Sequence, residues 1–103
     1  MKAILYLPLH PPQVVSSEGL VLPHEATGFA SVPAIVATLL DCAPNLVDVL
    51  ACGANYVVYI VFDSQEEANP VATQAAATLT GIDFNAVDED ELLRGTVLIV
   101  QDK

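Results

Sequence analysis

Apolar and polar positions fall in blocks along this chain, and the blocks read as short elements separated by breakers. Lys2 to Leu7 is an apolar, β-favouring run halted by Pro8, a first strand. From Pro8 to about Ala30 the chain carries Pro11, Pro12, Gly19, Pro23 and Gly28, so a long loop follows, with Leu20 to Leu22 as a brief extra strand or hairpin arm. Loops of this length inside small domains are uncommon and often functional. Ser31 then caps a helix from Val32 to about Cys42, with Pro33 in its first turn. Its stripe is Val32, Ile35, Val36, Leu39 and Leu40, and Ala43-Pro44-Asn45 stops it.

Leu46 to Ala51 and Tyr56 to Phe62 are two strand-like runs around Cys52-Gly53-Ala54-Asn55, where Gly and Asn suit the positive φ of a tight hairpin. The second run lacks polar alternation and is expected to be a central strand buried on both faces. Ala68, Val71, Ala72, Ala75, Ala76 and Leu79 then repeat at helical spacing. Two starts compete, a capping box of Ser64 with Glu67 and an Asn69 cap with Pro70 in the first turn. The expectation is an irregular first turn, then a regular helix to Leu79 stopped by Gly81. A short helix over 86–94 and a strand over 96–101 close the chain, with the acids at 88–91 lying where a helix dipole favours them. The predicted order is β, long loop, α, β, β, α, short α, β over one domain, residues 1–103. It implies an α+β, ferredoxin-like (split βαβ) antiparallel sheet of about four strands, with two main helices on one face. The other face is left for solvent, a partner or a second copy.

That order resembles the RNA-recognition motif. Leu5-Tyr6-Leu7 is similar to the start of its first-strand signature, and Tyr59 falls where its third strand carries a stacking aromatic. The resemblance implies the skeleton of strands and helices. It stops short of RNA, because Asn55-Tyr56 stands where the family has a basic residue and glycine, and Val57 where it has its first stacking aromatic.

Charge sharpens this. Thirteen acids face three bases, Lys2, Arg94 and Lys103, for a formal net charge of −10 over 103 residues. Phosphate backbones are gripped by clustered Lys and Arg, so neither nucleic acid nor an anionic membrane is an expected partner. Charged residues make up 16% and apolar residues 53%, so part of the surface is expected to be apolar, as docking surfaces are. Cys42 and Cys52 lack CxxC spacing and read as buried free thiols. No uninterrupted apolar stretch is long enough for a membrane span, and the beginning of the chain does not read as a signal peptide, so a cytoplasmic protein is expected.

Candidate chemistry gathers in the long loop. His10, His24 and Glu25, facing Tyr6 or Tyr59 on the sheet, are the residues from which a ligand site would be built. Their spacing matches no metal motif, and 88–91 lack the pattern of a calcium loop, so no metal or cofactor is expected. Neither GxSxG, GxGxxG nor a P-loop occurs, and a single arginine leaves little to clamp an anionic transition state. The expected function is therefore a non-enzymatic interaction or structural subunit: a homo-oligomer, a component of a larger assembly such as a virus particle, or a small acidic inhibitor of a basic target. The alternative is a small cofactor-independent enzyme or ligand binder with a pocket between sheet and loop.

Overall fold

The computed structural model describes residues 2–20, 34–53, 55–62, 66–81 and 93–102. Among the described residues the apolar runs become five strands, β1 (Lys2–Tyr6), β2 (Gln13–Val15), β3 (Val47–Gly53), β4 (Tyr56–Val61) and β5 (Val97–Gln101), with helices α1 (Ala34–Leu40) and α2 (Pro70–Thr80). A 3₁₀ turn, Pro44–Leu46, leads into β3. The strands form one antiparallel sheet in the order β2-β1-β5-β4-β3.

The class is α+β as expected, but the split βαβ arrangement of about four strands is not what forms. A split βαβ joins parallel strands through a helix and seats another strand between them. Here α2 joins β4 to β5, which are antiparallel neighbours. The fifth strand among the described residues is β2, at Gln13–Val15; of the extra strand expected over 20–22 only Leu20, a buried core residue, is described. The expected short helix over 86–94 lies outside the described residues except at its end, where Arg94 forms a bridge with Ala68.

Nor do the two helices share a face. Along β1, β4 and β5 the side chains alternate between two cores. Ala3, Leu5, Val57, Tyr59, Leu98 and Val100 pack with Val36 and Leu40 of α1. Tyr6, Val58, Val97 and Ile99 pack with Ala72 and Ala76 of α2. Because the inner strands are apolar at nearly every position, both sheet faces need cover, and each receives one helix. The helix-free face expected to await a partner does not exist.

α2 resolves its ambiguous start in favour of Asn69. The Asn69 Oδ1 accepts from the Ala72 N–H at 3.3 Å, Pro70 occupies the first turn, and Gly81 ends the helix at φ 76° with its N–H on Ala77. The Asn69 side chain also donates through Nδ2 to the carbonyls of Tyr6 (3.0 Å) and Gly95 (2.9 Å), tying α2 to the end of β1 and the approach to β5. Thr73 continues the network: its Oγ1 donates to the Asn69 carbonyl and accepts from Leu93 N–H, each at 2.9 Å. Asn69 and Thr73 are therefore buried without loss, and they turn the inner stripe of α2 towards 69, 72, 73 and 76. Val71, expected in that stripe, lies at its margin and is exposed.

At the far edge, β3 carries a bulge. Val49 pairs with Tyr59 and Ala51 with Val58, so Leu50 is an extra residue. The next device is local: Asp48 Oδ1 accepts from Val49 N–H at 2.9 Å. A bulge and a carboxylate on an edge strand both oppose pairing with another chain. Gly53 does not take the positive φ expected of it. It is required because the Tyr56 ring lies against its Cα, where a Cβ would come within 2.7 Å of Tyr56 Cε1.

Candidate functional site

The strand ends that carry Tyr6, Val47, Val61 and Val97 lie together. Here the chain leaves β1 through Leu7, Pro8, Leu9 and His10, and α1 finishes at Leu40. A cleft of about 520 Å³ opens between them, lined by Leu7, Leu9, His10, Leu39, Asp41 and Glu67 among others. Its inner wall is apolar, from Leu7, Pro8, Leu39 and Leu40, while Asp41, Glu66 and Glu67 bring carboxylates to it. The strap bearing Glu66 and Glu67 is held by Gly95 N–H on the Glu67 carbonyl (3.0 Å) and Arg94 Nη1 on the Glu66 carbonyl (3.4 Å).

Two residues of this cleft hold a backbone conformation that L side chains avoid. His10 N–H donates to the Leu7 carbonyl at 3.2 Å, closing a turn over Pro8 and Leu9, with Leu9 at φ 63°. This is the pattern of a type II turn, whose third position belongs to glycine. Leu9 is also 80% exposed, so little packing offsets the strain. Asp41 has φ 56° at the end of α1, where its N–H reaches Thr38 and the Cys42 N–H reaches Ala37. That is a Schellman close, again normally a glycine position. Its carboxylate also lies at the negative end of the helix.

Leu9→Gly and Asp41→Gly are each expected to raise stability by about 1 kcal/mol, since glycine takes positive φ freely. Urea unfolding measures this, and a loss of stability in both variants would show that neither backbone is strained.

The expected site residues are dispersed. His10 lines this cleft. Tyr6 lines a second one of about 480 Å³ with Pro12, Pro70, Val71, Gln74 and Ala75, so the 7–12 loop divides the two. Burial pushes the Tyr6 phenol up from its ordinary range. Tyr59 lies in the core against α1, only 1% exposed, and its phenol is likewise pushed up by burial and then by nearby Cys52. It presents no stacking face. His24 and Glu25 lie outside the described residues. Leu9, Asp41, Glu66 and Glu67 were not among the expected residues; the signal for Leu9 is a proline followed by a bulky residue where a turn is needed.

Both thiols are free, but they are not both buried. Cys42 is half-buried and Cys52 exposed. Burial, followed by the Asp41 carboxylate, pushes the Cys42 thiol up, away from nucleophilic character. Among the described residues no group of three or more His, Cys, Asp or Glu side chains is placed to hold a metal ion, and no helix is long and apolar enough to cross a membrane. No family model matches the chain, and no curated protein or solved structure matches it either.

Proposed function

We propose that this chain is a non-enzymatic protein-binding module whose partner presents a basic surface. The observation that carries this reading is Leu9. A bulky apolar side chain is held out to solvent on a strained backbone, where glycine would be more stable. Strain kept without packing to offset it marks functional positions. Phe62 and Leu46 are exposed at the same end of the sheet, joined by Phe62 N–H on the Leu46 carbonyl at 2.7 Å, and add apolar ground.

Charge supports the choice of partner. Two copies at −10 each repel, whereas a basic protein is drawn in and oriented. A basic partner is thus favoured over the homo-oligomer also expected from the sequence, and over a phosphate-bearing one. His10 beside carboxylates in a single cleft supports a second reading, a small-ligand binder.

The test is self-association and partner choice together. Sedimentation at low salt is expected to show a monomer at every concentration. Binding to a fluorescent peptide of alternating Leu and Arg is expected, weakening as salt rises, with little binding to its Leu-Glu counterpart. Concentration-dependent dimers, or indifference to the peptide's charge, would count against the reading.

A further inference from the structure

Resting on that reading, we infer that the cleft between the 7–10 turn and the end of α1 is the docking site, and that it receives an arginine or lysine side chain from an extended segment of the partner. The shape and chemistry divide the work. Leu7, Leu39 and Leu40 offer an apolar wall for the alkyl stem, and Asp41 and Glu67 offer carboxylates for the cation. Long basic side chains are recognised in this way, stem on apolar surface and charged head among acceptors. Its volume suits a few side chains, not a folded element.

Charge complementarity selects the occupant. Asp41, Glu66 and Glu67 all line the cleft, and Arg94 has its guanidinium on the Glu66 carbonyl. A guanidinium suits the cleft better than an ammonium, because its planar fork engages carboxylates in pairs and it is more weakly hydrated. Leu9, 80% exposed at the rim, then packs on the partner's flanking apolar residue. The strained turn has a use on this account: it holds Leu9 outwards beside the incoming segment.

The experiment uses the whole chain and three peptides of one length, alternating Leu-Arg, Leu-Lys and Leu-Gln. Amide shifts are followed by NMR and affinities by fluorescence anisotropy. The Leu-Arg peptide is expected to bind more tightly than Leu-Lys and far more tightly than Leu-Gln, with shifts concentrated at 7–10, 39–41, 66–67 and 96. Asp41→Asn with Glu67→Gln is expected to weaken Leu-Arg binding about tenfold, as loss of close charge partners does. Asp48→Asn with Asp102→Asn removes the same charge elsewhere and is expected to change affinity less than about twofold.

Equal weakening by the two pairs, or shifts spread over the surface, would overturn the cleft and leave the basic-partner reading standing. Equal binding of Leu-Gln would overturn the cationic occupant. Failure of both basic peptides to bind at low salt would overturn the basic-partner reading itself. Circular dichroism of each variant shows whether a loss of binding is a loss of fold.

Discussion

Asn69→Ala is expected to cost about 3 kcal/mol, a large part of what holds a chain of this size folded. The side chain caps α2 through Ala72 N–H and donates to the Tyr6 and Gly95 carbonyls. Losing the cap accounts for about 1 kcal/mol, and stranding two carbonyls in a buried setting for the remainder. Asn69→Ser separates the contributions: a hydroxyl keeps the cap but cannot reach both carbonyls, so it recovers about 1 kcal/mol of the loss. Asn69→Asp keeps the size and the cap but turns an oxygen towards two carbonyl oxygens. The protonated acid can donate there, so its folded pKa lies above the ordinary carboxylate value. This variant's stability is therefore greatest at low pH and is lost as pH rises through that raised value. Urea unfolding at several pH values reads all three variants. A loss below about 1 kcal/mol in Asn69→Ala would mean that the network contributes no more than an ordinary cap.

Tyr59→Ala is expected to cost about 4 kcal/mol, the usual range for emptying an aromatic site in a core. Its ring fills the α1 side of the sheet beside Val57 and Leu98. Tyr59→Phe keeps the ring and costs far less, and it exposes a pH dependence. Burial holds the phenol above its ordinary 10.0, with Cys52 adding to the shift. A raised folded value means that the stabilisation from the neutral phenol is complete below about pH 10 and is lost as pH rises through the folded value. Tyr59→Phe is expected to flatten that alkaline decline, and Tyr6, whose phenol is raised by burial, and Cys42, whose thiol is raised by burial and then by Asp41, contribute to what remains. An unchanged alkaline profile in Tyr59→Phe would show that the phenol titrates alike in both states.

Local elements were legible in the sequence because local rules make them. Tyr56 to Val61 is a strand in an unbroken apolar run, α2 begins at an Asn-Pro pair, and it stops at a glycine. The pairing order was not legible, since which strands become neighbours depends on contacts far apart in the chain. β2 is not legible, because three residues after two prolines carry too little pattern to separate strand from loop. That the two helices lie on opposite faces is readable in the strands. Lys2 to Tyr6 and Val97 to Gln101, like Tyr56 to Val61, have apolar residues pointing both ways, which demands two covers. Of the residues lining the cleft, His10 is the one that stands out in the sequence, as a histidine in a long loop. Leu9 and Asp41 do not, because what sets them apart is a backbone angle and not a residue type.

The bulged outer strand, with a carboxylate bonded to the next amide, has a consequence for life in crowded solution. A molecule with so greasy an interior and so few charges would ordinarily risk stacking into ribbons. At this edge a strand from another copy would meet a kink and a negative charge instead of a matching ladder. Both obstacles lie on β3, and Asp48→Val would remove the charge while leaving the kink.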